Sequence, residues 1–79
     1  MENLIELSKT ELTLAFAASC IESVARRLSV PYREVYARMK RVGLIDRYIL
    51  PCYDTLHTMS RENVTDDVIE CLTQWENQQ

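Results

Sequence analysis

The sequence predicts an all-α fold: a compact four-helix domain with a helix-turn-helix-like middle. Apolar residues recur at helical spacing in four successive segments. One glycine, two prolines and no Asn-Gly or Asp-Gly pair leave little of the turn chemistry that β-hairpins need. The 79 residues are therefore expected to form a single domain, with its core over about residues 10–76 and short flexible ends.

Helix one is expected to begin near Ser8, because Ser8 and Glu11 have the spacing of a capping box. It should end near Ser29, since Pro31 biases the residue before it away from helical dihedral angles. A broad apolar stripe predicts that it is the most buried helix, packed against the other three. The stripe consists of Leu14, Phe16, Ala17, Ala18, Cys20, Ile21, Val24, Ala25 and Leu28.

Helix two follows with Pro31 in its first turn, where the missing N–H costs nothing. Val35, Met39 and Val42 recur at helical spacing and should face inward. Gly43 stands where a left-handed C-terminal cap is needed.

Helix three is expected to be kinked or broken near Pro51, which removes a backbone hydrogen bond. One form of that break is a short turn over 45–50 followed by a helix from about 51. Helix four is predicted to have Asn63 or Thr65 as its N-cap, with Asp66 and Asp67 in its first turn. Residues 76–79 should fray.

The net charge of −3 conceals a basic middle and an acidic end. Residues 21–47 carry seven basic and three acidic side chains, whereas residues 48–79 carry one and six. Cations of one helix facing anions of another would explain this pattern, and so would a basic face for an acidic partner. The N-terminus has no long apolar run, so we expect a cytoplasmic protein without membrane association.

The three cysteines, Cys20, Cys52 and Cys71, are odd in number and lack Cys-x-x-Cys spacing. They fall within apolar stripes, which favours reduced thiols in the core. A zinc site that combines them with His57 is the less favoured alternative. No metal site and no cofactor are predicted.

Residues 22–41 resemble a helix-turn-helix, with Ala25, Val35 and Met39 at packing positions and Ser29 at the turn. A DNA-binding regulator of this kind would direct Arg33, Arg38 and Lys40 at phosphates or base edges. Serine in place of glycine at the turn, and a pI of about 5.0, favour two helices that merely share the spacing.

Helix two also carries a candidate face for binding protein, because aromatic and basic side chains are enriched at interfaces. This face comprises Tyr32, Arg33, Tyr36, Arg38, Lys40 and Arg41.

A second candidate site lies at the corner between helices three and four, and comprises Tyr53, His57, Thr58, Asp66 and Asp67. His57 should bond to Asp66, to Asp67 or to a helix-end carbonyl. This set is either a structural corner or part of an interface. No nucleophile–base pair or oxyanion cradle accompanies the histidine, so no catalytic residue is assigned and the chain is not expected to be an enzyme.

The order of these features resembles a small bacterial family, the domain of unknown function 3791, over about residues 12–75. The matching segments are Cys20-Ile21-Glu22, Glu34-Val35-Tyr36, the turn at Gly43, Tyr53 with Leu56-His57-Thr58, and Asp67-Val68. Arg47 and Pro51 depart from the family pattern.

The resemblance implies a role without catalysis, as a companion of ADP-ribosyltransferase-like proteins in a toxin–antitoxin style arrangement. The chain is accordingly expected to be a protein-interaction module that neutralises or binds a protein partner. A second copy of the chain is also a candidate partner, and nucleic acid is less favoured.

Overall fold

A computed structural model describes residues 8–78, and over that range the chain contains helices and no strand. In order these are α1 (Lys9–Leu28), α2 (Tyr32–Val42), a π-helical turn (Ile45–Ile49), α3 (Tyr53–Leu56) and α4 (Arg61–Asn77). The all-α prediction is confirmed. The third of the four expected helices consists of the π-helical turn and the single turn of α3.

The ends of α1 follow the local signals in the sequence. The Ser8 hydroxyl accepts a hydrogen bond from the Glu11 N–H at 3.1 Å, and the Glu11 carboxylate accepts one from the Ser8 N–H at 2.9 Å. Both bonds of the predicted capping box are therefore present. At the other end, Ser29 adopts the left-handed conformation with φ of 59°, and its N–H donates to the Ala25 carbonyl.

Pro31 precedes α2 as its N-cap, with φ of −63° and ψ of 147°, one position before the predicted first turn. Gly43 ends α2 in the left-handed conformation, with φ of 75°, as predicted. A β-carbon at Gly43 would also lie 3.1 Å from Cδ of Arg47. Both constraints favour glycine at this position.

The predicted break in helix three is present. The Leu50 N–H donates to the Ile45 carbonyl at 2.9 Å, five residues back, which defines the π-helical turn. Pro51 follows immediately and has no N–H to continue the ladder. The chain then bends before α3 begins at Tyr53.

The predicted start of α4 is wrong. Ser60 is the N-cap, and its hydroxyl accepts a hydrogen bond from the Asn63 N–H at 3.1 Å. Neither Asn63 nor Thr65 caps the helix, because Ser60 offers a side-chain acceptor three residues before Asn63. Asp66 and Asp67 consequently lie in the second turn. The helix also continues to Asn77, beyond the point where fraying was expected.

The core lies where α1, α2 and α4 meet, and the π-helical turn closes it with Leu44 and Ile49. Leu14 and Ala18 were expected to face inward, but both are exposed. α1 has 20 residues and α2 has 11, so their lengths are roughly 30 Å and 16 Å, and α2 covers only part of α1. The buried apolar residues of α1, α2 and α4 are Ala17, Cys20, Ile21, Val24, Ala25, Val35, Met39, Val42, Val64, Val68 and Leu72.

No helix within residues 8–78 combines the length and the apolar character that crossing a membrane requires.

Candidate functional site

An open apolar groove runs between α1 and α2, and we call it the α1–α2 groove. Its volume is about 340 Å³, and the π-helical turn closes one side with Ile45, Asp46 and Leu50. Helix side chains form the other walls: Leu14, Ala17, Ala18, Ile21, Tyr32, Tyr36 and Lys40. Apart from Lys40 and Asp46, these side chains offer hydrocarbon, aromatic rings and tyrosine hydroxyls. A surface of this composition suits an apolar side chain of another molecule.

The groove concentrates the exposed apolar surface of the described chain. Leu14 is 54% exposed, Tyr32 45% and Tyr36 42%. Over residues 8–78 only one further large apolar residue is as open, Leu12 at 42%, and it does not line the groove. Single exposed apolar residues need no explanation, but three on one concave surface are typical of an interaction site.

The candidate face of α2 divides into two. Tyr32, Tyr36 and Lys40 are spaced four residues apart and border the groove, and Nζ of Lys40 lies 5.9 Å from the centre of the Tyr36 ring. Arg38 points the other way and donates from Nε and Nη2 to the two carboxylate oxygens of Glu76, each at 2.8 Å. Arg38 therefore joins α2 to α4.

The Arg38–Glu76 pair shifts both groups toward their charged forms. The hydrogen bond from Arg38 lowers the pKa of the Glu76 carboxyl, and the same bond raises the pKa of Arg38. Of the remaining basic residues predicted for this face, Arg33 and Arg41 are exposed.

The helix-turn-helix spacing corresponds to real packing. Ala25, Val35 and Met39 are all buried, and Ser29 takes the left-handed turn conformation that glycine normally supplies in such motifs. Arg38, which was expected to be available for phosphate contacts, is held by Glu76.

The structure brings Tyr53, His57 and Thr58 together at the end of α3. Nδ1 of His57 lies 2.7 Å from the Tyr53 carbonyl oxygen, and the two rings stack with centroids 4.4 Å apart and planes 7° apart. Phe16 meets the Tyr53 ring edge-on at 5.4 Å. The Thr58 hydroxyl donates to the Thr55 carbonyl at 2.8 Å. His57 thus bonds to a helix carbonyl, one of the three partners expected for it.

Asp66 and Asp67 do not join this cluster. Asp66 accepts a hydrogen bond from Nη1 of Arg27, which links α1 to α4. No hydrogen bond within residues 8–78 connects His57 to Asp66 or Asp67. The acids lie one turn deeper in α4 than predicted, because the helix begins at Ser60 rather than at Asn63 or Thr65.

The cysteines are free thiols, with Cys20 buried and Cys52 and Cys71 half-buried. Burial raises the pKa of the Cys20 thiol from 9.0 to about 11, which makes this thiol a poor nucleophile and metal ligand at neutral pH. Cys52, His57 and Cys71 do not converge on a common point; in the part of the chain that the structure describes, no three His, Cys, Asp or Glu side chains are placed to hold a metal ion.

A polar groove of about 560 Å³ lies between α1 and α4. Three of its charged side chains are engaged in ion pairs, because Arg26 pairs with Glu22 and Arg27 pairs with Asp66, which lies outside the lining. Arg61 stands at its edge, where Nη1 lies 3.0 Å from the Ser19 hydroxyl, 3.2 Å from the Ser23 hydroxyl and 3.3 Å from the Ser19 carbonyl.

Sequence reasoning did not select Leu14, Ala18 or Arg61 as candidate site residues. The unequal lengths of helices one and two would have indicated that helix two cannot cover the whole of helix one. For Arg61 the sequence offered a weaker indication: it is the only lysine or arginine in residues 48–79, which are otherwise acidic.

Comparison with known proteins identifies the family of this chain. No curated protein and no solved structure is significantly similar to this chain. The family model described as "Protein of unknown function (DUF3791)" matches residues 15–75. This range contains every residue of the α1–α2 groove except Leu14, and it contains Phe16, Tyr53, His57 and Thr58. The match covers more than three quarters of the chain, and the chain belongs to this family.

Proposed function

We propose that this chain is a non-enzymatic protein-interaction module that binds an amphipathic helix of a partner protein in the α1–α2 groove. The observation that carries the proposal is the exposure of Leu14, Tyr32 and Tyr36 on one concave surface. A helix with apolar residues at i, i+3 or i+4, and i+7 is the common occupant of such grooves. The charge at the rim supports a partner helix with an acidic residue beside its apolar stripe, placed to meet Lys40.

The sequence supports a role without catalysis, since it offers one histidine and no nucleophile–base pair beside it. The family resemblance adds the finer proposal: a bacterial, cytoplasmic protein that acts as the antitoxin-like partner of an ADP-ribosyltransferase-like protein. The groove would then bind a helix of that protein and neutralise it.

The test compares Leu14→Asp and Tyr36→Asp with Leu12→Asp in a pull-down from the native cell. Leu12 is the matched control, because it is an exposed leucine of the same helix outside the groove. Burying a leucine contributes about 1.5–3 kcal/mol, so each groove variant should weaken partner binding at least about tenfold. The Leu12 variant should retain the partner.

Two outcomes would overturn this proposal. Equal retention of the partner by the Leu14 and Leu12 variants would place the interface elsewhere. A dimer of the free protein in light scattering that Leu14→Asp converts to a monomer would show that a second copy of the chain occupies the groove.

A helix-turn-helix DNA-binding regulator is the second candidate function. The left-handed turn at Ser29 and the buried Ala25, Val35 and Met39 support it. The net charge of −3 and the engagement of Arg38 by Glu76 weigh against it, because phosphate contacts supply much of the affinity for DNA.

An electrophoretic shift assay with the DNA upstream of the chain's own operon separates the two candidates. A regulator would bind that DNA sequence-specifically, lose affinity steeply with salt, and show a salt slope lower by about one after Arg33→Gln. An interaction module would show no such specific shift.

A further inference from the structure

A second, smaller groove lies beside the histidine, on the side of the molecule formed by α1, α3 and α4. We call it the His57–Arg61 groove. It has a volume of about 200 Å³ and is lined by Phe16, His57, Met59, Arg61 and Val64. Three of these residues are apolar, and the two polar ones are exposed. It shares no residue with the α1–α2 groove.

The hydrogen bond of His57 determines which ring nitrogen is left as an acceptor. The Tyr53 carbonyl oxygen can only accept, so Nδ1 of His57 carries the proton that is donated across 2.7 Å. In the neutral ring, Nε2 then holds a lone pair and accepts a hydrogen bond. The parallel stack on Tyr53, whose ring Phe16 meets edge-on, holds the imidazole in this orientation.

Hydrogen bonds also hold the Arg61 side chain in place. Its Nη1 lies within 3.3 Å of three oxygen atoms of Ser19 and Ser23, so the guanidinium is anchored at one end. The Nε and Nη2 donors are not used in those contacts. None of the four ion pairs within residues 8–78 involves Arg61. The guanidinium can therefore present a charged, forked donor to a carboxylate.

We propose that the His57–Arg61 groove binds the C-terminal residue of a partner chain when that residue is apolar. Such a residue carries three complementary groups on one α-carbon. Its carboxylate would accept from Arg61, its backbone N–H would donate to Nε2 of His57, and its side chain would pack on Phe16, Met59 and Val64. The small volume favours one residue with its own carboxylate over a longer segment.

This proposal does not depend on the α1–α2 groove. The two sites share no lining residue, so Leu14→Asp should leave the His57–Arg61 groove intact.

The experiment is a titration of the ¹⁵N-labelled full chain with N-acetylleucine, which has the N–H, the side chain and the carboxylate. Ligands of this size typically bind with dissociation constants of a few millimolar at best. We expect saturable shifts of the His57 ring nitrogens and of the Arg61 side chain in that range. N-acetylleucinamide, which lacks the negative charge, should bind about tenfold more weakly. N-acetylglycine, which lacks the apolar side chain, should bind about tenfold more weakly or worse.

Three results with the unaltered protein would overturn the proposal. The first is equal affinity for N-acetylleucine and its amide, since Arg61 would then not recognise the charge. The second is the absence of saturable shifts at His57 and Arg61 at roughly ten times the expected dissociation constant. The third is equal affinity for N-acetyl-aspartyl-leucinamide, which would assign the site to an acidic side chain rather than to a chain terminus.

Substitutions in the groove identify the residues that bind N-acetylleucine. Arg61→Gln should reduce the affinity for N-acetylleucine to that of the amide, and Arg61→Lys should restore part of it. His57→Phe keeps an aromatic ring for the stack and removes the acceptor, so it should weaken binding of both ligands equally. Arg33→Gln, an exposed arginine on α2, is the matched control and should change neither affinity. Loss of binding in that control would refute a local site.

Discussion

α1 and α2 both end at a residue in the left-handed backbone conformation, but one of these residues is serine and the other is glycine. Ser29 and Gly43 both adopt the left-handed conformation, with φ of 59° and 75°. A residue with a β-carbon is strained there by roughly 1–2 kcal/mol, whereas glycine is not. Glycine costs about 0.5–1 kcal/mol more chain entropy on folding, which offsets part of that difference. Ser29 is therefore a position where the sequence is not optimal for stability.

Ser29→Gly should raise the free energy of unfolding by about 0.5–1 kcal/mol, because relief of strain exceeds the entropy cost. Gly43→Ala should lower the free energy of unfolding by at least about 1 kcal/mol. Alanine is strained in the left-handed conformation, and its β-carbon would also lie close to the Arg47 side chain. Urea unfolding measures both changes. Destabilisation by Ser29→Gly would mean that the serine side chain contributes more than its strain costs.

His57 supports the end of α3 through one hydrogen bond and one ring stack. His57→Ala removes both and should cost about 1 kcal/mol, a decrease of roughly 4–8 °C in melting temperature for a domain of this size. His57→Phe keeps an aromatic ring for the stack, so it should lower the melting temperature by about half as much. Asp66→Asn is the control for the corner: Asp66 pairs with Arg27 and does not contact His57, and loss of this exposed ion pair should lower the melting temperature by less than His57→Ala does. An unchanged melting temperature in His57→Ala, combined with lost partner binding, would assign the histidine to an interface instead.

At the scale of elements, strong local signals made the helix ends predictable. The capping box at Ser8, the stop before Pro31, the glycine cap and the break near Pro51 each depend on a few adjacent residues. The π-helical form of the break was not predictable, because it depends on how Leu44 and Ile49 enter the core rather than on local propensity.

The start of α4 was misassigned for a physical reason. Acidic residues are favourable near a helix N-terminus, so Asp66 and Asp67 suggested a start at Asn63 or Thr65. That dipole term is small beside a direct cap from a serine hydroxyl. Ser60 lies earlier in the chain and supplies such a cap to Asn63, so it determines the first turn.

Ser60→Ala should therefore lower the free energy of unfolding by about 1 kcal/mol, whereas Ser60→Gly should lower it by only a few tenths. Asn63→Ala is the matched control, because the cap uses the backbone N–H of Asn63 and not its side chain. Thermal unfolding of the three variants measures the difference. A larger loss in Asn63→Ala than in Ser60→Ala would contradict the assigned cap.

The candidate sites were predictable in part. The aromatic and histidine motifs led to Tyr32, Tyr36 and His57, which border the two grooves. Leu14 was missed because a periodic stripe does not reveal where a partner helix ends. Arg61 was missed because its neighbours, Ser19 and Ser23, are about forty residues away in the chain.

For the molecule as a whole, ion pairs between helices account for part of the uneven charge along the chain. Arg27 and Arg38 in the basic middle pair with Asp66 and Glu76 in the acidic end, so cations of one helix do face anions of another. Arg33, Lys40 and Arg41 lie on exposed parts of α2. The basic surface that a partner could meet is therefore smaller than the sequence suggests.

The Arg38–Glu76 pair should make stability depend on pH. Its side chains are 29% and 24% exposed, so solvent screens the pair less than it screens the more exposed pair of Lys9 and Asp54. Arg38 lowers the pKa of Glu76 below its ordinary value of 4.5. A carboxyl whose pKa is lower in the folded state stabilises the fold above its unfolded pKa. That contribution is lost as the pH falls through its folded pKa.

Glu76→Gln should therefore destabilise the protein by about 1 kcal/mol at pH 7, because a charge-assisted bidentate contact becomes a neutral one. As the pH falls from the ordinary carboxyl pKa of 4.5 through the lower pKa of the folded state, the wild-type Glu76 becomes protonated in its turn, so the difference between the two proteins should shrink toward zero. Urea unfolding of both proteins at several pH values between 7 and about 3 measures this convergence. Asp54→Asn, at the exposed pair, should change stability by only a few tenths of a kcal/mol at any of these pH values. A difference for Glu76→Gln that stayed constant with pH would show that the carboxylate charge does not stabilise the contact between α2 and α4.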